Sequence, residues 1–274
     1  MIQQLEMTVL IDNVAAEPLA SEWGLSIIIR ADDKTVLLDT GASGLFSQNA
    51  EVLGIDLAKV NKGVLSHAHY DHADGMDTFF LLNHSAHFLV REESCENCFG
   101  IKEGDLSYIG IRRGALDRHD ARIQYVSGVY EICDGIWLIP HRKADYSAIA
   151  LRNDLYTVSH EECLPDDFAH EQSLVVETGR GLVVFNSCSH TGMMNILKDV
   201  SMFMGRKDVY AYVGGLHLYK MTELELESLS AEIESTSVKK IFTGHCTGDY
   251  AFSSLKKRLG ERIVQFSSGF RYCF

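Results

Sequence analysis

The chain has 274 residues, 46% of them hydrophobic, and a formal net charge of −13 at pH 7. This length and composition predict a substantial core, and the three prolines form no linker, so we expect a single domain over 1–274. The acidic balance argues against nucleic acid and anionic membranes as partners, because binding to phosphates requires basic patches.

The first residues contain neither a basic region nor an apolar core of signal-peptide length. No apolar run approaches the length of a membrane span. The seven cysteines are odd in number and lack a secretory context, which favours free thiols in a reducing compartment. We therefore expect a cytoplasmic protein whose partner is a small-molecule substrate.

Apolar runs separated by turn signals predict the elements in chain order. In the first part they are strands over 7–11, 25–29, 35–38, 62–65 and 87–90, with helices over 43–53 and 77–82. In the second part they are strands over 129–133, 136–139, 173–177, 182–185, 209–213, 239–243 and 262–266, with helices over 193–204, 222–235 and 248–259. Two polar segments, about 91–127 and 141–169, are interpreted as irregular insertions that border the site and set substrate choice.

Four potential metal ligands follow the strand predicted over 62–65: His67, His69, Asp71 and His72. On an extended backbone His67 and His69 project to the same side. Imidazole and carboxylate together suit Zn²⁺ first, and Fe, Mn or Ni with less preference. Asp71 and His72 cannot reach the same ion with equally good geometry, so the pattern predicts two divalent metal ions. A solvated, histidine-rich loop is the alternative, and the position directly after a strand disfavours it.

The His-x-His-x-Asp-His pattern resembles the signature of the metallo-β-lactamase superfamily. Further segments resemble one branch of it, that of a methanogen dihydropterin–arylamine ribonucleotide phosphate synthase and its bacterial relatives; they are residues 10–13, 23–26, 38–41, 188–192, 214–218 and 244–248. The resemblance implies an α/β fold, an αββα sandwich of two mixed sheets with helices on the outer faces. It also implies that His67 and His69 bind one metal, and that Asp71 and His72 bind the other.

Other candidate ligands follow later strands. His190, in Cys188-Ser189-His190, is expected to complete the first metal site, and His245, which lies between glycines, is expected to bind the second metal. Cys188, His170 and Glu171 are reserve ligands, and their spacing does not decide which of them the site uses.

Two more residues are predicted to assist the metals. His217, in a Gly-Gly-Leu-His segment, is interpreted as an acid–base or substrate-contacting residue, with a ligand role as the alternative. Asp39 is expected to accept the remote N–H of a metal-bound histidine, which would fix the ring's tautomer. A turn-forming aspartate is the alternative for Asp39. The Cys95-x-x-Cys98 pair has no second pair at zinc-ribbon spacing, so we do not assign it to a metal.

Three functions are compatible with these residues. The first is a metal-dependent hydrolase in which two divalent ions, zinc preferred, lower the pKa of a bound water to about 7 while Asp71 orients it. The second is a synthase-like condensation of a dihydropterin with an arylamine ribonucleotide. The third is a small-ligand-binding protein without catalysis.

The two polar segments carry the expectations about substrate. The basic pairs Arg112-Arg113 and Arg142-Lys143 lie in an otherwise acidic chain and predict a small anionic substrate. A pterin would need an aromatic slot, for which the candidates are Tyr108, Tyr146, Tyr156 and Phe168.

Overall fold

The computed structural model describes residues 1–141 and 144–274. In chain order the strands are β1 (Leu5–Ile11), β2 (Ser26–Ala31), β3 (Lys34–Leu38), β4 (Lys62–Val64), β5 (His87–Arg91), β6 (Phe99–Lys102), β7 (Asp105–Tyr108), β8 (Ile123–Val126), β9 (Tyr130–Cys133), β10 (Ile136–Pro140), β11 (Leu155–Ser159), β12 (Glu162–Pro165), β13 (Gln172–Thr178), β14 (Gly181–Phe185), β15 (Val209–Val213), β16 (Lys240–Thr243), β17 (Ile263–Gln265) and β18 (Arg271–Cys273). The α-helices are α1 (Leu45–Val52), α2 (Tyr70–Ala73), α3 (Met76–Leu82), α4 (Ala115–Arg118), α5 (Ser147–Asn153), α6 (Met193–Met204), α7 (Glu223–Glu234) and α8 (Asp249–Leu259). Among the described residues, no helix combines the length and the apolar character needed to cross a membrane.

The chain divides into two compact units. The large unit contains Gln4–Ser127, the described part of 142–172, and Ser267–Phe274. The small unit contains Met1–Gln3, Gly128–His141 and Ser173–Phe266. The single domain over 1–274 stays a prediction.

A mixed seven-stranded sheet, in the order β18-β1-β2-β3-β4-β5-β8, forms the centre of the large unit. β1 to β3 form an antiparallel meander, whereas β3, β4, β5 and β8 are parallel neighbours. Leu38 at the end of β3 is paired with Val64 at the end of β4. The residues that follow these two strands, Asp39 and Ser66, therefore emerge side by side at one edge of the sheet.

The core of the large unit supports that edge. Phe46 from α1, Phe79 from α3 and Phe88 from β5 are fully buried in one apolar cluster. Ala68 and Ala73 belong to the same cluster. The segment that carries the candidate ligands is thus anchored to the core at both of its ends.

The segments predicted to be irregular contain regular elements. β6, β7, β11 and β12 form a four-stranded sheet in the order β12-β11-β6-β7, and α4, β8 and α5 lie in the same two segments. The prediction of irregular structure was wrong because these strands are short and few of their residues are buried. β7 and β12 have no fully buried position, so they show no alternation of apolar and polar residues.

A second mixed sheet of seven strands, in the order β17-β16-β15-β14-β13-β10-β9, forms the small unit. β14, β15, β16 and β17 are parallel, and every residue of β14 is buried, as is typical of parallel strands covered on both faces. Phe185 at the end of β14 is paired with Val213 at the end of β15, and Val213 is paired with Phe242 of β16. Three neighbouring strands therefore end at the same edge.

Candidate metal centre

The carboxylate of Asp39 organises the candidate ligands of the large unit. One oxygen accepts the main-chain N–H of Ser66 at 2.7 Å. The other oxygen accepts the Ser66 hydroxyl at 2.6 Å and lies 2.8 Å from Nδ1 of His72. The Ser66 hydroxyl in turn lies 2.8 Å from Nδ1 of His67. All four residues are buried.

These contacts determine where the ring hydrogens lie. A carboxylate only accepts hydrogen bonds, so His72 donates from Nδ1 to Asp39. The single hydroxyl hydrogen of Ser66 is directed to Asp39, so the Ser66 oxygen accepts from Nδ1 of His67. In the neutral form of each ring the lone pair therefore lies on Nε2, which is the tautomer that a ligand binding through Nε2 requires.

His69 and Asp71 lie beside these two rings. The ring centroid of His67 is 4.6 Å from that of His69 and 4.2 Å from that of His72. Asp71 is buried in α2, and one of its carboxylate oxygens is 3.8 Å from Nε2 of His72. The large unit thus gathers three imidazoles and one carboxylate, a donor set that fits a divalent transition metal.

The reserve ligands His170 and Glu171 also lie in the large unit and are both buried. His170 belongs to a cluster with His69, Cys98 and Asp166, in which one nitrogen, sulfur or oxygen atom of each side chain lies within 4.8 Å of the others. Neither Cys98 nor Asp166 was selected from the sequence as a site residue. Cys98 is separated from His170 by 72 residues, so no spacing signal connects them.

In the small unit the candidate residues follow the ends of three parallel strands. Cys188 and His190 follow β14, His217 follows β15, and His245 and Cys246 follow β16. Ligand atoms of Cys188, His190 and His217 lie within 4.8 Å of one another, as do those of Cys188, His245 and Cys246. The sulfur atoms of Cys188 and Cys246 are 3.3 Å apart.

Cys246 is not among the ligands predicted from the sequence, and the structure places its sulfur among candidate ligands. Burial alone would raise the pKa of the Cys246 thiol, but Cys188, His217 and His245 lower it well below its usual value. A thiol in this state offers a soft sulfur donor. The small unit therefore provides sulfur and nitrogen donors.

The backbone holds this cluster in sparsely populated conformations. His217 and His245 have φ values of 52° and 48°, and Ser189 has a φ of 46°. Such left-handed conformations are uncommon outside glycine and persist where the surrounding contacts over-determine them. For Ser189 those contacts are its main-chain N–H, which donates to the side-chain oxygen of Asn186 at 2.6 Å, and its hydroxyl, which contacts the Tyr212 hydroxyl and the Gly215 carbonyl.

The basic residues expected to bind an anionic substrate contact other side chains of the protein. Arg112 is engaged by Asp74 and Asp77, at 3.9 Å and 3.5 Å, and Arg113 stacks on the ring of Tyr108. Arg142 and Lys143 lie outside the described residues.

The four aromatic candidates do not form one slot. Tyr146 and Phe168 pack together in a small core and are buried, so they do not line an open slot. Tyr108 packs against Phe99, and Tyr156 lies in β11.

Comparison with known proteins gives the family. The profile of the metallo-beta-lactamase superfamily matches residues 24–185, and the chain belongs to this superfamily. It is 25% identical to 7,8-dihydropterin-6-methyl-4-(beta-D-ribofuranosyl)-aminobenzene-5′-phosphate synthase of Methanocaldococcus jannaschii, over 92% of this chain and 90% of the relative.

Solved structures agree with this assignment. Tm1679, described as a metal-dependent hydrolase of the beta-lactamase superfamily, is 28% identical and aligns with a TM-score of 0.82 over 98% of both chains. The metallo-beta-lactamase fold protein YhfI from Bacillus subtilis aligns with a TM-score of 0.58 at 12% identity, over 99% of this chain and all of the other. The predicted fold class, α/β with mixed sheets and helices, is confirmed, as is the resemblance to the synthase branch.

Proposed function

We propose that the protein is a metal-dependent hydrolase that binds two divalent ions, zinc in preference, and acts on a small substrate. The observation that carries this proposal is the hydrogen-bond network of Asp39, which leaves the Nε2 lone pairs of His67 and His72 in the state that metal binding requires. Membership of the superfamily and the similarity to a metal-dependent hydrolase support it.

The proposed ligands of the large unit are His67, His69, Asp71 and His72, and those of the small unit are His190 and His245. Bound divalent ions would polarise the substrate and increase the acidity of a water molecule. Asp71 would orient that water through its carboxylate, and His217 would exchange a proton with the substrate or leaving group. Cys188 and Glu171 remain reserve ligands in this proposal.

A synthase-like condensation is the second candidate function, because the similarity to the methanogen enzyme extends over 92% of the chain. In that reaction the same residues would activate a leaving group of the pterin substrate, and no water would be activated.

A small anionic substrate is part of both proposals. Arg113 is the basic residue that we propose to bind this substrate, because Arg112 already contacts two carboxylates.

The free state of all seven cysteines supports the predicted cytoplasmic location.

The test combines metal analysis with two activity assays. Protein prepared without chelators is expected to contain close to two transition-metal ions per chain and to hydrolyse a member of a panel of phosphodiesters, lactones and thioesters. Asp71→Asn should lower that hydrolysis about 100-fold or more. Asp105→Asn is the matched control, because Asp105 is exposed on β7. Product formation only from a dihydropterin together with the arylamine ribonucleotide would replace the hydrolase with the synthase. Failure to bind Zn²⁺, Fe²⁺ and Mn²⁺ would contradict both.

A further inference from the structure

His170 is a buried histidine directly behind the His-x-His segment. It is 5% exposed, and its ring centroid is 5.6 Å from that of His69 and 6.2 Å from that of His67. Cys98 and Asp166, which contact the same ring, are each 1% exposed. The hydrogen bonds of His170 distinguish a metal ligand from a residue that supports the ligands.

Each ring nitrogen of His170 has a neighbour of defined polarity. The main-chain N–H of Ala68 donates to Nδ1 at 3.1 Å. Nε2 lies 3.2 Å from a carboxylate oxygen of Asp166 and 3.7 Å from the sulfur of Cys98. Because an amide can only donate, Nδ1 carries the lone pair, and Nε2 donates its hydrogen to Asp166.

This tautomer does not suit a metal ligand. A histidine that binds a metal through Nε2 carries its hydrogen on Nδ1 and donates it to an acceptor, as His72 does toward Asp39. In His170 the arrangement is reversed, because a donor faces Nδ1. Burial lowers the pKa of His170, and Cys98 and Asp166 raise it by more, but a second ring proton would have to lie on Nδ1, where the Ala68 hydrogen already points.

Ala68 is the residue that links the two proposed ligand histidines of this segment. Its carbonyl accepts the N–H of Ile111 at 3.1 Å, and its methyl group is buried in the core. A buried N–H needs an acceptor, and His170 is that acceptor. With both polar groups bonded, the two peptide planes that meet at the Ala68 Cα, one toward His67 and one toward His69, have fixed orientations.

Asp166 holds His170 in place from the other side. Its second carboxylate oxygen accepts the N–H of Phe168 at 2.8 Å, so the carboxylate itself is oriented by the loop that leads to His170. The chain of contacts therefore runs from Phe168 through Asp166 and His170 to Ala68, and it ends at the segment that presents His67 and His69.

We propose that His170 is a positioning residue and not a metal ligand, and that it orients the His67–His69 segment by accepting the Ala68 N–H at Nδ1. This inference rests on the proposed metal-binding function. It assigns a role to a residue that the sequence placed among the reserve ligands, and it brings Asp166 into the supporting structure.

Two substitutions of His170 distinguish a positioning role through Nδ1 from a ligand role through Nε2. Asparagine places a polar atom near the position of Nδ1, and glutamine places one near the position of Nε2. His170→Asn keeps an acceptor for Ala68, so its Zn²⁺ affinity should stay close to that of the wild type. His170→Gln loses that acceptor, so its Zn²⁺ affinity should fall about 10- to 100-fold. Affinity is measured by competition with a chromophoric chelator. His87→Asn is the matched control, since His87 is exposed at the start of β5.

The reverse order, with metal lost in His170→Asn and kept in His170→Gln, would show that Nε2 is a ligand and overturn the proposal. Equal affinities for both variants, whether unchanged or equally weakened, would also overturn it. If the variants do not fold, nitrogen-15 spectra of the metal-free wild type decide by showing whether His170 has its hydrogen on Nε2 or on Nδ1. A wild type that binds no Zn²⁺ would instead contradict the proposed function, and the ring tautomer would still test the positioning role.

Discussion

Ser66 shows how much a single residue adds to the candidate centre. It connects Asp39 to His67 through its hydroxyl, and it binds the same carboxylate through its main-chain N–H. The sequence drew attention to Asp39 because it lies in an Asp-Thr-Gly turn that resembles the family. It gave no such signal for Ser66, because a serine between a strand and a histidine is common. The contact depends on the parallel pairing of β3 with β4.

Replacement of Asp39 by asparagine should weaken metal binding in the large unit. The Ser66 hydroxyl and His72 Nδ1 both donate to one oxygen of Asp39, and an amide that turned its NH₂ group toward them would offer no acceptor. An amide turned the other way would face the Ser66 N–H with its NH₂ group. We expect the Zn²⁺ affinity to fall about 10- to 100-fold, as for other residues that orient ligands. Isothermal titration with Zn²⁺ measures the change, and an affinity equal to that of Asp105→Asn would show that Asp39 does not orient the ligands.

A second prediction at this scale concerns the small unit. His245→Ala should lower the metal content by about one ion per chain, because it removes one imidazole ligand and little apolar packing. The circular dichroism spectrum should stay unchanged. His160→Ala is a close control, since His160 is exposed and has the same φ of 48° as His245. Wild-type metal content in His245→Ala would mean that His245 is not a ligand.

The elements divide into those that the sequence predicted and those that it did not. α6 and β15 have the predicted bounds, and α7, predicted over 222–235, begins with a capping box between Thr222 and Glu225. These elements have a continuous apolar run or a cap, both of which are local signals. The hairpin of β11 and β12 was missed, because only one of its strand residues is buried and its other partner, β6, comes from a distant segment.

Gly214 offers a test of how the end of β15 supports the candidate residues. A Cβ atom at this position would lie 1.8 Å from the carbonyl oxygen of Asn186, and its φ is 136°, which L-residues rarely adopt. We expect Gly214→Ala to lower the free energy of unfolding by about 3 kcal/mol or more, through both steric overlap and backbone strain. Urea denaturation measures the change.

Gly179 provides the control for this substitution. It lies in the turn between β13 and β14, and a Cβ atom there would meet nothing within 4 Å. Gly179→Ala should therefore change the free energy of unfolding by no more than about 0.5 kcal/mol. Similar effects of the two substitutions would mean that the close approach at Gly214 is relieved by movement of the chain.

For the whole molecule, the family could be predicted from one short stretch because the candidate ligands of the His-x-His-x-Asp-His pattern are local in sequence. The other candidate residues of the centre could not be derived in the same way. His190, His217 and His245 come from segments that meet only through the parallel order of β14, β15 and β16. The substrate is still harder to predict from the sequence, because it depends on side-chain contacts that form only in the tertiary structure. The contacts of Arg112 with Asp74 and Asp77 are an example.

Metal binding should stabilise the folded chain as a whole, because the ligands are gathered only in the folded state. At a free Zn²⁺ concentration 100 times the dissociation constant, the gain is about 2.7 kcal/mol per independent site. For a chain of this size that corresponds to a rise in melting temperature of about 5–10 °C, which differential scanning calorimetry of metal-free and reconstituted protein would measure.

The same stabilisation should depend on pH with a defined sign. Imidazole binds a metal only when it is deprotonated, so protons compete with Zn²⁺ for the histidines. The difference in melting temperature between the zinc-loaded and metal-free protein is therefore expected to be large near pH 8 and to shrink as the pH falls to about 5.5. Mg²⁺, which prefers oxygen ligands, should produce a much smaller shift at either pH and serves as the control. A zinc-dependent shift of equal size at both pH values would indicate carboxylate ligands in place of the histidines, and an equal shift with Mg²⁺ would point to the same conclusion.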